Sequence, residues 1–195
     1  VQISMPVPTY EATIGVVRSL ALKAGNTVID GSLDGDPEPE VSLQDFPSKV
    51  VNGQTNIEFT LAVASPGNKI RSLAIAEMAI VGPSAEHNEI SDNCIGTAVD
   101  GVTSRNNDGT GVHIGSGASY NKIANNVIAG HYIPSLLFAG TGIQLTGTAT
   151  TGNVITGNSI GVNANGNRLG NEVGILVQGG AHHTIIGGNR DESCE

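Results

Sequence analysis

One feature constrains the fold of this chain more than any other: a nine-residue phrase that keeps returning. Asn88-Glu-Ile-Ser-Asp-Asn-Cys-Ile-Gly96 comes back as Asn121-Lys-Ile-Ala-Asn-Asn-Val-Ile-Ala129 and again as Asn153-Val-Ile-Thr-Gly-Asn-Ser-Ile-Gly161, at offsets of 33 and 32. A shorter copy precedes them at Asn68–Ile75, and a worn one follows at Thr184–Asn189. A second element lies upstream of each copy: Met78–Val81, Gly111–Ile114, Gly142–Leu145 and Gly174–Val177, with Phe59–Leu61 in the same slot. Its last residue precedes the Asn position by seven in four copies (Leu61 to Asn68, Val81 to Asn88, Ile114 to Asn121, Val177 to Thr184) and by eight from Leu145 to Asn153. Repeats of this length mark stacked architectures, in which each unit buries its apolar side only against its neighbours.

Within a unit the apolar residues alternate, as in strands. Each unit then holds three very short strands, represented by Gly111–Ile114 and by segments centred on Ile123 and Ile128. Such strands are stable only when stacked as parallel ladders. The expected fold is all-β: a right-handed parallel β-helix, or single-stranded β-solenoid, with three short strands per coil. The column Ile90, Ile123, Ile155 and Ile185 or Ile186 is the expected spine of the core. Asn88, Asn121 and Asn153 are expected to stack at one corner, and Asn93, Asn126, Asn158 and Asn189 at another. Asn tolerates left-handed backbone at a corner, and its amides can hydrogen-bond along a column.

Composition agrees with many short strands and tight turns: 27 of the 195 residues are Gly, and only 3% are aromatic. Residues 1–57 read as an N-terminal cap and first coils, 58–188 as regular coils and 189–195 as a polar tail. Ala12–Val17 and Ser19–Leu22 read as first-coil or capping strands. The acidic, proline-broken stretch 30–40 reads as a loop. Its Asp30, Asp34 and Asp36 are candidate Ca²⁺ ligands, although the ordered spacing of a Ca²⁺ loop is missing. No cofactor is otherwise expected. Cys94 and Cys194 lack zinc-site spacing and are read as separate thiols.

A net charge of −9 with nine Lys plus Arg argues against nucleic acid as a partner. No apolar run reaches the length of a membrane span, and no signal peptide is visible.

In the phrases Asn68–Ile75, Asn88–Gly96, Gly170–Val177 and Gly180–Gly188, and in the Ile-Asp-Gly turn of Asn26–Gly31, the chain resembles bacterial secreted right-handed parallel β-helix repeat proteins. These are the pectin-lyase-like, carbohydrate-binding and sugar-hydrolysing kind. The resemblance spans roughly residues 26–190. It implies an extracellular or cell-surface location and a polysaccharide as a possible partner. Enzymes, adhesins and spikes share the repeat, so the fold alone does not choose among them.

Catalysis on polysaccharides needs paired carboxylates, or a base with charge stabilisation, on an outward face. The expected outward columns are Thr60, Ile80, His113, Gln144, Leu176; Lys69, Glu89, Lys122, Val154, Ile185; and Ala74, Cys94, Val127, Ser159. None carries a carboxylate pair. Asp92, Asp100, Asp108 and His113 are the weak catalytic candidates. His113 with Gln144, and His131 with Tyr132 on the long turn 129–140, are the candidate ligand-binding residues. Ile80, Leu176, Val154 and Ile185 would form an exposed apolar patch unless loops or another chain cover them. The leading expectation is a non-catalytic extracellular module, structural or adhesive and able to bind glycans. The alternatives are a polysaccharide lyase, hydrolase or epimerase with a loop-built site, and a spike or appendage assembly module. A homo-oligomer, or further coils in a longer chain, fits any of these.

Overall fold

The structure, a computed structural model, describes residues 12–16, 19–32, 39, 41–45, 49–51, 54–56, 60–105, 109–132 and 140–187. Asp34, Asp36, Asp108, Asn189 and Cys194 lie outside them. The described chain is all-β, with no helix. It visits three sheets, A, B and C, in strict rotation. The first circuit is β1 (Ala12–Val16), β2 (Ser19–Leu22) and β3 (Val28–Asp30). The second opens with β4 (Val41–Asp45), is interrupted by an antiparallel hairpin of β5 (Lys49–Val51) and β6 (Gln54–Asn56), and resumes with β7 (Thr60–Val63) and β8 (Lys69–Arg71). The third is β9 (Leu73–Ile75), β10 (Glu77–Val81) and β11 (Glu89–Ser91). The fourth is β12 (Cys94–Ile95), β13 (Val112–Gly115) and β14 (Lys122–Ala124). The fifth is β15 (Val127–Ile128), β16 (Thr141–Thr146) and β17 (Val154–Thr156). The sixth is β18 (Ser159–Ile160), β19 (Val173–Gln178) and β20 (Ile185–Ile186).

Each sheet therefore has six strands, each strand paired in parallel with its counterparts in the adjacent circuits. A strand of two or three residues has too few partners to form alone. Here it gains a neighbour on either side, which satisfies its backbone and covers its apolar side chains. Alternation sends every second residue inward. In sheet C the inward column is Ile29, Ile70, Ile90, Ile123, Ile155 and Ile186. Sheet B contributes Val63, Ile80, Ile114 and Leu145, and sheet A contributes Ile75, Ile95 and Ile128, all buried in one cluster. Each such side chain is worth roughly 1.5–3 kcal/mol of burial.

Two columns of Asn hold the corners. Between sheets B and C, Asn68 donates its backbone N and its Nδ2 to Asn88 Oδ1, both at 2.8 Å. Asn88 repeats this on Asn121 at 3.0 and 2.9 Å, and Asn121 on Asn153 at 3.0 and 3.1 Å. Between sheets C and A, Asn93 donates in the same way to Asn126, and Asn126 to Asn158. The spare amide hydrogens go to backbone carbonyls such as Ala85 O and Ile90 O. The left-handed backbone lies one residue before the ladder. His87 and Tyr120 have φ of 56° and 57°, and Asp92 and Asn125 have 58° and 56°. The ladder Asn residues themselves are not left-handed, so the turn and the amide ladder are divided between neighbouring positions.

Three sequence expectations need correction. Ile80 is not outward: it pairs with Ile114 and is fully buried, while Ala79 pairs with His113. Thr60 pairs with Glu77, so Ala62 takes the place assigned to Thr60 in the His113 column. Two turns differ in length: the one after β7 is two residues shorter, five from Val63 to Asn68, which shifts Thr60 along its own face, and the one after β10 is one residue longer. Eight residues separate Ile80 from Asn88, against seven from Ile114 to Asn121, and a one-residue slip exchanges the two faces of a strand. Asp30 is the last residue of β3 and not part of a loop. Its carboxylate accepts hydrogen bonds from Arg71 Nε at 2.9 Å and Nη2 at 2.6 Å. Of Ile185 and Ile186, both open from the sequence for the inward column of sheet C, Ile186 takes it, and Ile185 pairs with Val154 in the outward column.

Candidate functional site

The outer face of sheet A carries Ala74, Cys94, Val127 and Ser159 as successive partners. Two loops fold across it. Residues 96–105 follow β12 and are closed at their base by a Thr97–Ser104 antiparallel bridge. Residues 161–172 leave β18, closed by a Val162–Arg168 bridge. The loops are joined by Ala164 N donating to Gly101 O at 2.9 Å. Gly101 has φ +63°, and a Cβ there would stand 2.8 Å from Ala164 Cβ and 3.3 Å from Cys94 Sγ. Only glycine fits that backbone and that approach.

Between these loops and the sheet lies a cleft of about 450 Å³. Asp92 and Asn125 line it from the corner between sheets C and A, Cys94 and Val127 from the sheet, Val99 and Asp100 from the first loop, Ala164 and Asn165 from the second, and Pro39 from the segment before β4. Carboxylate and amide groups thus meet an apolar floor.

Of the weak catalytic candidates, the structure brings Asp92 and Asp100 to this one cleft. They differ in what they can do. The Asp100 carboxylate is engaged by its own loop: Oδ1 accepts from Val102 N at 2.8 Å and Thr103 N at 2.9 Å, and Oδ2 accepts from Thr103 Oγ1 at 2.7 Å. Burial pushes its pKa up, but the Thr103 and Val102 hydrogen bonds outweigh this and hold it below the usual carboxylate range. A carboxylate kept ionised in this way is a poor proton donor at neutral pH. Asp92 is the carboxylate not used up by its own turn.

His113 and Gln144 are neighbours in the sheet B register, flanked by Ala79 and Leu176. The His113 ring lies over its own strand, since a Cβ at Gly115 would stand 2.8 Å from its Nε2. It is half-buried, and burial lowers its pKa. The column brings no carboxylate beside it.

His131 and Tyr132 part company. Tyr132 is exposed, whereas His131 is fully buried at the corner between sheets A and B. A ligand in solvent does not reach its ring. The glycines at Gly96 and Gly111 leave room that the imidazole fills, and a ring so accommodated belongs to the interior. Asp30 is committed to Arg71, and no cluster of three metal-binding side chains occurs among the described residues.

Asn125 and Asn165 line the cleft but were not singled out from the sequence. Asn125 stands at the same phase of the repeat as Asp92, one residue before a ladder Asn, so the register itself carried the signal. Asn165 lies in an aperiodic loop and had none.

No helix among the described residues is long and apolar enough to cross a membrane. Comparison of the chain with protein-family models, with curated proteins and with solved structures finds no match.

Proposed function

We propose that the chain is a right-handed parallel β-helix serving as a non-catalytic extracellular module, structural or adhesive, that binds a glycan in the cleft over sheet A. The observation that carries this reading is the unequal use of the two cleft carboxylates. Asp100 is spent on its own turn and held ionised, which leaves Asp92, among the described residues of the cleft, without the second, protonatable carboxylate of an acid–base pair. What remains suits recognition. Asp92, Asn125 and Asn165 offer acceptors and amide donors to hydroxyl groups, while Val127, Val99 and Pro39 offer an apolar floor to a sugar face.

The test is a panel of neutral and uronate-containing oligosaccharides titrated against the protein by calorimetry, with product analysis of each mixture. Binding of at least one oligosaccharide is expected, weakened about tenfold or more by Asp92→Asn and by Asn165→Ala, with every oligosaccharide recovered intact. Depolymerisation abolished by Asp92→Asn or Asp100→Asn would replace this reading with a loop-built polysaccharide-cleaving enzyme.

A further inference from the structure

Among the described residues, His131 is a fully buried ring that the proposed binding site does not use. It reaches from the turn after β15 back into the preceding corner, between Gly96 and Gly111. A Cβ at Gly96 would stand 2.5 Å from its Nε2, and one at Gly111 would stand 2.7 Å away. The imidazole thus stops the gap between these two points of the stack. Neither ring nitrogen has a hydrogen-bond partner among the described residues. The next corner shows the same device built from a different residue. Asn171 reaches back so that a Cβ at Gly142 would stand 2.7 Å from its Nδ2, and that Nδ2 donates to Ile128 O at 2.9 Å. The amide stopper makes a well-formed hydrogen bond there; the imidazole has only the Ile95 carbonyl nearby.

The backbone of the same stretch ties three loops together. His131 N donates to Asn171 Oδ1 at 3.1 Å, and Glu172 N donates to His131 O at 3.2 Å. Next to it, Gly130 N donates to Leu169 O at 3.2 Å, and a Cβ at Gly130 would stand 2.7 Å from Ser104 Oγ. Residues 96–105 and 161–172 carry the walls of the cleft, so whatever displaces His131 loosens those walls.

We propose that His131 is an acid-sensitive stopper that locks the loops walling the cleft near neutral pH and releases them on acidification. A neutral imidazole fits this enclosed site; an imidazolium would be buried with only the Ile95 carbonyl to offset its lost hydration, and must leave or stay unprotonated. The segments around it carry Glu77, Asp100, Arg105, Arg168, Glu172 and Tyr132, with His113 on the outer face of β13. Charge on these does not set the imidazole's state. Burial lowers its pKa from 6.5 to about 4, and the Ile95 carbonyl works against that shift. The folded pKa lies below the unfolded one. The locked state is therefore fully favoured above pH 6.5 and loses that advantage as pH falls toward 4.

The test uses the full chain and two measurements. The first is an NMR titration of the His131 ring. The second is hydrogen exchange at Gly130, Ala164 and Glu172, corrected for intrinsic rate, relative to Lys122 and Val154 in sheet C. Between pH 7 and pH 4 the loop amides should gain about 100-fold in relative exchange, as the two pKa values require. His131→Asn, which copies the Asn171 device, should abolish that gain, and His131→Gln serves where the first variant does not fold. Equal gains in wild type and variant would overturn the proposal. So would a His131 ring that titrates near 6.5 while the loops stay protected, a result readable on the wild type alone.

Discussion

The fourth and sixth circuits carry the same kinds of residue in the same columns, yet they sit in opposite surroundings. Ile114 and Ile123 in the fourth are 0% exposed. Their counterparts in the sixth, Val177 and Ile186, are 41% and 51% exposed. The strands pair in one register throughout, so the pattern of residues is not what differs. What differs is the number of neighbours: a middle circuit is covered from both sides, and the last is covered by the described residues from one. The ladders show the same contrast. Asn121 both receives from Asn88 and donates to Asn153, whereas at the equivalent end position Thr184 Oγ1 is buried without a partner among the described residues. Burial in a stacked fold is thus a property of position along the stack, and stability is close to a sum of interfaces between circuits.

The largest test of this contrast is a pair of core truncations. Ile123→Ala should cost about 3–5 kcal/mol, because it opens a cavity closed on both sides. Ile186→Ala should cost about 1 kcal/mol or less, since its site is already open to water. Urea unfolding monitored by circular dichroism measures both, and equal costs would break the comparison. Next come the ladders. Asn121→Ala removes hydrogen bonds to two circuits and strands buried donors on Asn88, for an expected loss of about 3 kcal/mol. Thr184→Ala should change stability by less than about 1 kcal/mol in the same assay. The smallest effect lies on the outer face of sheet C, where Glu89 sits between Lys69 at 3.7 Å and Lys122 at 3.0 Å. The Lys122 hydrogen bond, opposed by slight burial and aided by both charges, lowers its pKa. These groups are exposed, so Glu89→Gln should cost no more than about 0.5 kcal/mol, and the difference should vanish in high salt.

The periodic part of the fold was legible because its signals are local and repeated. The spacing that set Asn88, Asn121 and Asn153 in one column is the spacing at which the structure hydrogen-bonds them. The spacing of Ile90, Ile123 and Ile155 likewise matches an inward column. What was not legible depends on turns. The extra residue between Ile80 and Asn88 displaced one strand in the reading and exchanged its faces, because a period of two forgives no slip. The cleft was half legible. Asp92 and Asp100 were singled out as nearby carboxylates, but the turn that engages Asp100 involves Thr103 Oγ1 and two backbone amides, which no spacing reveals. The burial of His131 was not legible for a related reason. A long turn reads as surface, and only the empty space over Gly96 and Gly111 shows that its third residue turns back into the core.

The most direct measurement of the central claim is native-state hydrogen exchange along one rung-to-rung series. Lys122 N donates to Asn88 O, Val154 N to Asn121 O and Ile185 N to Asn153 O, at 2.8, 2.8 and 2.9 Å. The three bonds are chemically alike and differ only in their place along the stack. Protection should be greatest at Lys122, close to that of global unfolding, and should fall toward Ile185 by about 100-fold or more. Equal protection at all three would contradict an account in which neighbouring circuits, and not the residue pattern alone, provide the stability.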